Sequence, residues 1–490
     1  MTTAAGQTPI VKPTPAPAGP NRSYKWVCLL IGLAMLLASV FLPPAAGMQR
    51  GALRTLALMG TTVLWWITET FPIPITALLV PVMVHALGIM PLGDAIKESF
   101  GNPLIPFMVG VLGLSAAVTA SGLSRRITYH VLAVVGANTT IVVGVYLWLS
   151  FVISMFIDDM AVVAMMLPLV LGLLKTIDAK PGSSNFGRAL MMAIIFGAVL
   201  GGVCTPAGVS SNIITMAFLA RSANTQVGFL YWTLIATPIF LVINLITWGL
   251  ILWIFPPEIK RLPYGREALR QELQRMGRWT VKEKTTVVVF LAAVLLWLTS
   301  DLTKLPIAFV SLLILGGVTL PRIGVFENWR DLNRGIEWGA VVLVVGGFVV
   351  GVAATKTGLA SWVVQRVLRP MALLPVYLQP AAVLLLMAVD SLGFSSFGTT
   401  ASVNVPFIIA YAQQHGLPVL ALSLTAGFAS SVHFILVTQS PSLVLPFAYG
   451  YFSFKDLMKI GVWVTLVSAV VVCAGMVVAG MPAGVPLAVK

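Results

Sequence analysis

Residues 140–175 constrain the fold of this chain more than any other stretch, because two adjacent carboxylates, Asp158 and Asp159, interrupt sequence that is otherwise apolar enough for a membrane. An ionised carboxylate at bilayer depth is costly unless it faces protein, water or a cation. The apolar pieces on either side are shorter than the roughly 20 residues that cross a bilayer. We therefore predict a re-entrant hairpin of two half-helices. Its polar tip must be buried in protein or line a cavity, so it is a candidate binding site.

The composition predicts an all-α polytopic membrane protein. Of 490 residues, 58% are hydrophobic and 9% are charged, whereas soluble domains carry about 25% charged residues. The formal net charge of +14 is typical of basic cytoplasmic loops, so no nucleic-acid partner is expected. Three cysteines lack the spacing of a disulfide framework or a zinc site. No P-loop, GxSxG, HExxH or dinucleotide motif is present, so we expect a protein that is not an enzyme and has no organic cofactor.

The apolar segments predict about 11 transmembrane helices and two re-entrant hairpins. The chain begins with a predicted disordered cytoplasmic tail (1–23) and a first helix (24–50). A first repeat (51–256) follows, with a polar turn around Asp94, Lys97 and Glu98, a hairpin (140–175) and a broken helix (189–220). A basic cytoplasmic linker (257–284), predicted to form an amphipathic helix, leads to a second repeat (285–482) with its hairpin (376–412) and broken helix (417–447).

The two halves repeat each other. Val109-Gly110 recurs as Val345-Gly346 at an offset of 236, which also relates Gly122-Leu123 to Gly358-Leu359. Each repeat holds five full spans and one hairpin, an odd number of crossings, so the second copy must be inverted. Inverted repeats with discontinuous helices are typical of secondary transporters. Lys and Arg concentrate on the side of the linker, which places the N-terminus in the cytoplasm, and we expect a bacterial inner membrane.

Several motifs resemble the divalent anion/sodium symporter family over nearly the whole chain after residue 25. They are Trp65-Trp66-Ile67-Thr68-Glu69 with the following Pro72–Leu79, Ala164–Pro168, the glycine-rich break Gly201–Asn212, and Gly450–Asp456. The resemblance implies an elevator mechanism, in which a dimeric scaffold holds a sliding transport domain built from both hairpins and both broken helices. It also implies a Ser-Asn-Thr triplet at each hairpin tip, which contacts a substrate carboxylate and frames a sodium site.

Both triplets are altered in this chain. The first position reads Asp158-Asp159-Met160 and the second reads Ser396-Phe397-Gly398, while the serine four residues before the first triplet is present as Ser154. The expected substrate-binding residues are Asp159, Met160, Ser210, Ser211, Asn212, Ser396, Phe397, Gly398, Thr399 and Thr400. The expected ion-coupling residues are Ser154, Asp158, Asp159, Gly201 and Asp390, with Ser154 and Asp159 as ligands of a sodium ion.

The altered triplets predict that the coupling ions and the substrate differ from those of the family pattern. A carboxylate at position 159 adds a negative charge, which favours either a sodium ion or a proton as the coupling ion. Phe397 offers no oxygen, so we expect fewer coupling ions than in the family pattern. Met160, Phe397 and Gly398 cannot hydrogen-bond through their side chains, which favours an organic acid of the di- or tricarboxylate class over a compact tetrahedral dianion.

Other interpretations stay open at this stage. The two aspartates could be structural polar groups, Asp390 could serve either helix packing or proton handling, and residues 210–212 could simply cap a helix. His433 is expected to be a packing residue that is hydrogen-bonded. The first rival function is a sodium/proton antiporter of the same superfamily. The second is an intramembrane aspartyl protease that uses Asp159 and Asp390, although its signature motifs are missing.

Overall fold

The computed structural model of the chain describes residues 22–134, 138–262, 274–394 and 396–480. Most of the predicted tail at 1–23 lies outside these ranges, as does the centre of the linker at 263–273, where the amphipathic helix was expected. Within the described ranges the protein is helical and contains no strand; one isolated antiparallel bridge joins Asn138 to Arg261.

The helices follow the order of the predicted spans. They are α1 (Arg22–Phe41), α2 (Arg50–Ile67), α3 (Ile73–Ala86), α4 (Leu92–Phe100), α5 (Leu104–Ala120), α6 (Leu123–Val134), α7 (Thr139–Ser154), α8 (Asp159–Thr176), α9 (Asn185–Val203), α10 (Ser210–Ser222), α11 (Phe229–Ile254), α12 (Val281–Leu298), α13 (Ser300–Thr303), α14 (Ile307–Val318), α15 (Trp329–Gly335), α16 (Trp338–Lys356), α17 (Leu359–Val363), α18 (Gln379–Asp390), α19 (Phe397–Gln414), α20 (Val419–Ala429), α21 (Pro441–Phe447) and α22 (Phe454–Gly480). A π-helical turn covers Val364–Leu368, and 3₁₀ turns cover Arg369–Leu373, Val376–Leu378, Ser391–Gly393 and Val437–Gln439.

Six helices of the described chain are long and apolar enough to cross a membrane, and the bent pair α4 and α5 would make a seventh. Four more apolar helices, among them α3 and α7, are shorter than a bilayer requires. The protein is therefore a polytopic membrane protein, and the full count of about 11 spans stays a prediction. The polar turn expected around Asp94 is instead helical, since α4 forms there and bends by 43° into α5.

The described helices end and restart within all four of the segments at issue. The chain does not cross 140–175 as a single rod, because α7 ends at Ser154 and α8 begins at Asp159. The second hairpin consists of α18 and α19. The first broken helix consists of α9 and α10, and the second consists of α20 and α21. Pro168, Pro406 and Pro446 lie within the helices that follow three of these interruptions.

The helices pack in two groups. Residues 139–254 and 379–480, called here the hairpin group, pair α7 with α9, α10 with α19, and α11 with α22. Residues 22–120 and 281–356, called here the frame group, pair α5 with α14 and α3 with α16. The groups meet where α16 packs against α19 and α10, and this border holds the candidate site.

The two described ends of the linker bind different parts of the fold. Near its start, Glu258 accepts hydrogen bonds from Ser184 Oγ (2.5 Å) and Phe186 N (2.7 Å) at the N-terminus of α9. Near its end, Glu283 forms an ion pair with Arg126 of α6, with 2.6 Å between Oε1 and Nε. The linker is thereby held against both α9 and α6.

Candidate functional site

The tip of the first hairpin presents two carboxylates in different environments. Asp158 precedes α8 and caps it, because its Oδ1 accepts a hydrogen bond from Met160 N at 3.1 Å. Asp159 begins the helix and is only 5% exposed. Its Oδ2 has no hydrogen-bond partner among the described residues. Since buried polar atoms are nearly always paired, this oxygen of Asp159 is a site at the tip where a ligand could bind.

The first broken helix is locked to this tip by buried hydrogen bonds. The Asn212 amide donates to the carbonyls of Gly202 (2.9 Å) and Thr205 (2.7 Å), which bridges the break between α9 and α10. The Thr205 hydroxyl donates to the carbonyl of Met155 in the hairpin turn. These contacts satisfy backbone groups that the interrupted helices leave unpaired.

The second hairpin and the second break are joined in a comparable way. Gln439 is fully buried; its amide oxygen accepts from Ile435 N and Leu436 N, and its Nε2 donates to Ser391 Oγ at 2.9 Å. Phe397 packs edge-on against His433, with ring centroids 5.3 Å apart. Neither ring nitrogen of His433 has a partner among the described residues. The hydrogen bond expected for His433 is therefore not present among the described residues, and its role in packing stays a prediction.

The tips and breaks surround a cavity of about 200 Å³. The hairpin group contributes Asp158, Asp159, Met160, Val209, Ser210, Ser396, Phe397, Ser440 and Pro441, and the frame group contributes Ile73, Pro74, Glu337, Gly339, Ala340 and Leu343. Of these lining residues three are acidic and none is Lys, Arg or His. The cavity is therefore strongly negative when its carboxylates are ionised.

The structure brings only part of the predicted site together. Asp158, Asp159, Met160, Ser210, Ser396 and Phe397 line the cavity, which places Asp159 and Ser396 on one surface. Gly398 lies beside it, since a Cβ there would meet Ser210 Oγ at 2.9 Å. Thr399 and Thr400 are buried outside the lining, and Thr400 Oγ1 donates to its own helix at Ser396 O.

Ser211 and Asn212 face away from the cavity. The Ser211 hydroxyl lies 2.7 Å from that of Ser431, which joins the two broken helices, and Asn212 bridges the first break. Both residues therefore hold the discontinuous helices in place. Periodicity could not have revealed the role of Ser211, because its partner Ser431 is 220 residues away in sequence.

Asp390 also lies outside the cavity lining. It ends α18 and accepts a hydrogen bond at 2.6 Å from Asn404 Nδ2 of α19, within its own hairpin. An aspartyl protease requires both carboxylates at one site, and this arrangement keeps Asp390 out of the site of Asp159.

Sequence reasoning missed Glu337, which precedes α16 and borders the cavity from the frame group. It shares the cavity lining with Asp158 and Asp159. The available signal was an acidic residue directly before a 19-residue apolar helix. Ser440 and Pro441 lie in a break that was predicted, although neither was assigned to the site.

Backbone oxygens lie close to Ser154, in the turn that precedes Asp159. Ser154 is fully buried and donates to Ile157 O at 3.2 Å, and a Cβ on Gly208 would lie 2.5 Å from Ser154 O. Hydroxyl and carbonyl oxygens of this kind suit a hard cation. The described residues contain no group of three or more His, Cys, Asp or Glu that could hold a metal ion, so a cation here would depend on backbone oxygens.

We expect Gly201→Ala to destabilise the protein, since Gly201 lies where α9 passes α7. A Cβ at this position would sit 2.7 Å from both the Cα and the carbonyl carbon of Phe151, closer than packing allows. Overpacking of this kind costs about 1–3 kcal/mol, which thermal unfolding in detergent would detect. Gly172→Ala is the matched control in α8, because no atom lies within 4 Å of its added Cβ. Equal melting temperatures for the two variants would contradict the close packing at Gly201.

Comparisons with known proteins agree with the motifs described above. A family model described as the sodium:sulfate symporter transmembrane region matches residues 23–485. A sodium-dependent dicarboxylate transporter, SdcS of Staphylococcus saprophyticus, is 25% identical over 477 residues, which cover 92% of this chain and 91% of that protein. The SdcS protein of Staphylococcus aureus strain MSSA476 is 25% identical over 478 residues, with the same coverage of both chains.

Among solved structures, the YdaH transporter of Alcanivorax borkumensis is similar in fold, with a TM-score of 0.55 and 15% identity over 90% of this chain and 100% of that one. The family match extends over nearly the whole chain and agrees with the resemblance found in the motifs. Because that family consists of transporters, the expectation of a protein that is not an enzyme is confirmed. The chain belongs to the sodium:sulfate symporter family of membrane transport proteins.

Proposed function

We propose that this protein is a secondary active transporter of an organic anion of the di- or tricarboxylate class, coupled to sodium or protons. The observation that carries the proposal is the cavity, which collects Asp158, Asp159 and Glu337 without a cationic side chain among its lining residues. Two like charges 4 Å apart repel by roughly 4 kcal/mol at an effective dielectric constant of about 20. An anion can therefore bind only after cations have neutralised the site, which couples the two solutes.

A sodium ion at Ser154 and Asp159 is the arrangement we favour. The unpartnered Asp159 Oδ2 would supply the charge, and the buried hydroxyl and backbone oxygens around Ser154 would supply further ligands. Gly201 permits the close approach of α9 on which this cluster depends. The relatives named as sodium-dependent dicarboxylate transporters support the same ion and substrate class.

Alternating access by an elevator movement is the proposed mechanism. The cavity lies on the border between the hairpin group and the frame group, so sliding one group past the other would carry the site across the membrane. A homodimer formed through the frame group follows from the family resemblance. The substrate would be held by Asp159, Met160, Ser210, Ser396 and Phe397, with Gly398 allowing the two helix starts to approach.

Uptake into proteoliposomes tests the proposal. We expect radiolabelled succinate to accumulate when an inward sodium or proton gradient is imposed, and not when potassium at equal pH replaces it. Exchange of sodium for protons with no uptake of succinate or citrate under any gradient would instead identify the antiporter. Cation binding comes first in the proposed order, so sodium should raise the melting temperature without the anion, while succinate should do so only with sodium present.

A further inference from the structure

Glu337 is the acidic residue on the frame side of the cavity. It directly precedes α16, which packs against α3, whereas Asp158 and Asp159 come from the tip of the first hairpin. Glu337 is an exposed residue on the lining of the cavity, and within the described ranges it makes no hydrogen bond to either aspartate. Glu337 is therefore a separate negative charge on the opposite wall of the cavity, across from a ligand bound at the hairpin tips.

The surroundings of Glu337 leave this charge uncompensated. The other frame-side lining residues, Ile73, Pro74, Gly339, Ala340 and Leu343, offer no charged side chain. Arg330 and Arg334 on the preceding α15 are exposed, and neither forms an ion pair with Glu337 in the described part of the chain. The other charged residues that line the cavity, Asp158 and Asp159, have the same sign.

An independent observation indicates that this space takes a ligand. Asp159 is 95% buried, lines the cavity, and has an Oδ2 atom without a partner among the described residues. A ligand that fills the cavity between Asp159 and the frame wall must come close to Glu337, because the cavity measures only about 200 Å³.

We infer that Glu337 is a specificity-determining residue that limits the negative charge of the anion accepted by the cavity. This inference rests on the proposed function. A fixed carboxylate on the wall repels a bound anion in proportion to the anion's charge. It therefore disfavours a tricarboxylate more than a dicarboxylate and a dicarboxylate more than a monocarboxylate. The same negative charge attracts the coupling cation. Glu337 therefore lowers the affinity of the cavity for the anion and raises its affinity for the cation.

The test measures how strongly three unlabelled competitors inhibit the uptake of radiolabelled succinate at pH 7.5. The competitors are butyrate, succinate and tricarballylate, which carry one, two and three carboxylates. In Glu337→Gln we expect the half-inhibitory concentration to fall about threefold to tenfold for each negative charge on the competitor. Glu337→Asp should retain the wild-type pattern. Glu327→Gln is the matched control, since Glu327 is 83% exposed, pairs with Lys282 at 3.6 Å and lies outside the cavity.

If Glu337 has a purely structural role, the substitution should change the half-inhibitory concentrations of all three competitors by the same factor. That result would overturn the inference, and so would unchanged half-inhibitory concentrations. If the glutamine variant fails to fold, Glu337→Ala must show the same grading by charge. A second measurement needs no anion: the sodium concentration that gives half of the thermal stabilisation should rise by a comparable factor in Glu337→Gln. A wild type that is stabilised by sodium but takes up neither succinate nor citrate would refute the proposed function alone, and the sodium titration would still test whether Glu337 acts on the cavity through its charge.

Discussion

Asp159→Asn is expected to lower the initial rate of sodium-driven anion uptake by at least about tenfold and to weaken its dependence on the cation. Asp159 is the most deeply buried carboxylate of the cavity, and its Oδ2 has no partner among the described residues. An amide has nearly the same shape but no charge, so the substitution removes the attraction for a cation while leaving the packing in place. A loss of tenfold corresponds to about 1.4 kcal/mol, which is modest for a charge interaction in a buried site.

The measurement is succinate uptake into proteoliposomes as a function of sodium concentration and of pH. Asp178→Asn is the matched control: Asp178 is exposed beyond α8 and has a φ of 50°, a conformation that asparagine also adopts readily. We expect this control to retain the wild-type rate. If Asp159→Asn also keeps the wild-type rate and cation dependence, Asp159 is a structural polar group and not a coupling residue.

Arg126→Ala is expected to cause the largest loss of stability, about 3–5 kcal/mol in the free energy of unfolding. Arg126 and Glu283 are 4% and 2% exposed, and two guanidinium nitrogens bind the two carboxylate oxygens at 2.6 and 3.2 Å. Arg126 also donates to the carbonyls of Gly277 (2.9 Å) and Met276 (3.2 Å). Removing the guanidinium leaves the buried carboxylate without its cation and these carbonyls without their donor, although Thr280 N still donates to Glu283 Oε2 at 2.7 Å. It also frees the end of the linker from α6.

The pH dependence of this pair follows from the same contacts. Burial alone would raise the pKa of Glu283, but the hydrogen bond from Arg126 and those from Thr280 outweigh it, so the pKa is lowered. A carboxylate with a lowered pKa stabilises the folded state above its unfolded pKa, and this contribution is lost as the pH falls through the folded value. The difference in stability between wild type and Arg126→Ala should therefore be full at neutral pH and shrink in acid.

Thermal unfolding in detergent checks both expectations. Arg125→Ala is the control, since Arg125 is the neighbouring arginine but is exposed, and exposed charge interactions contribute about 0–1 kcal/mol. Equal losses of stability from the two substitutions would show that the buried pair has no special role in holding the linker.

Much of the architecture could be predicted from residue types along the chain. Adjacent carboxylates at 158–159 and the glycine-rich stretch at 201–208 mark two interruptions, because ionised groups and helix-breaking residues inside apolar sequence cannot continue a membrane helix. The structure breaks its helices at both places. The predicted polar turn near Asp94 was wrong, because α4 forms there with Asp94 and Lys97 exposed and Ser99 buried. Local polarity alone does not distinguish a turn from a short amphipathic helix.

The sequence alone determined that the chain spans a membrane, where its helices are interrupted, and that Asp159 lies at a polar tip, because these features depend on the cost of placing charge and unpaired backbone in an apolar surrounding. The tertiary structure alone decided which polar residues share one cavity. It brought Glu337 to the site from a segment nearly 180 residues away from Asp159, and it paired Asp390 with Asn404 outside the site. Which residues line the cavity depends on how helices that are distant in sequence pack against one another. Neither hydropathy nor local spacing carries that information.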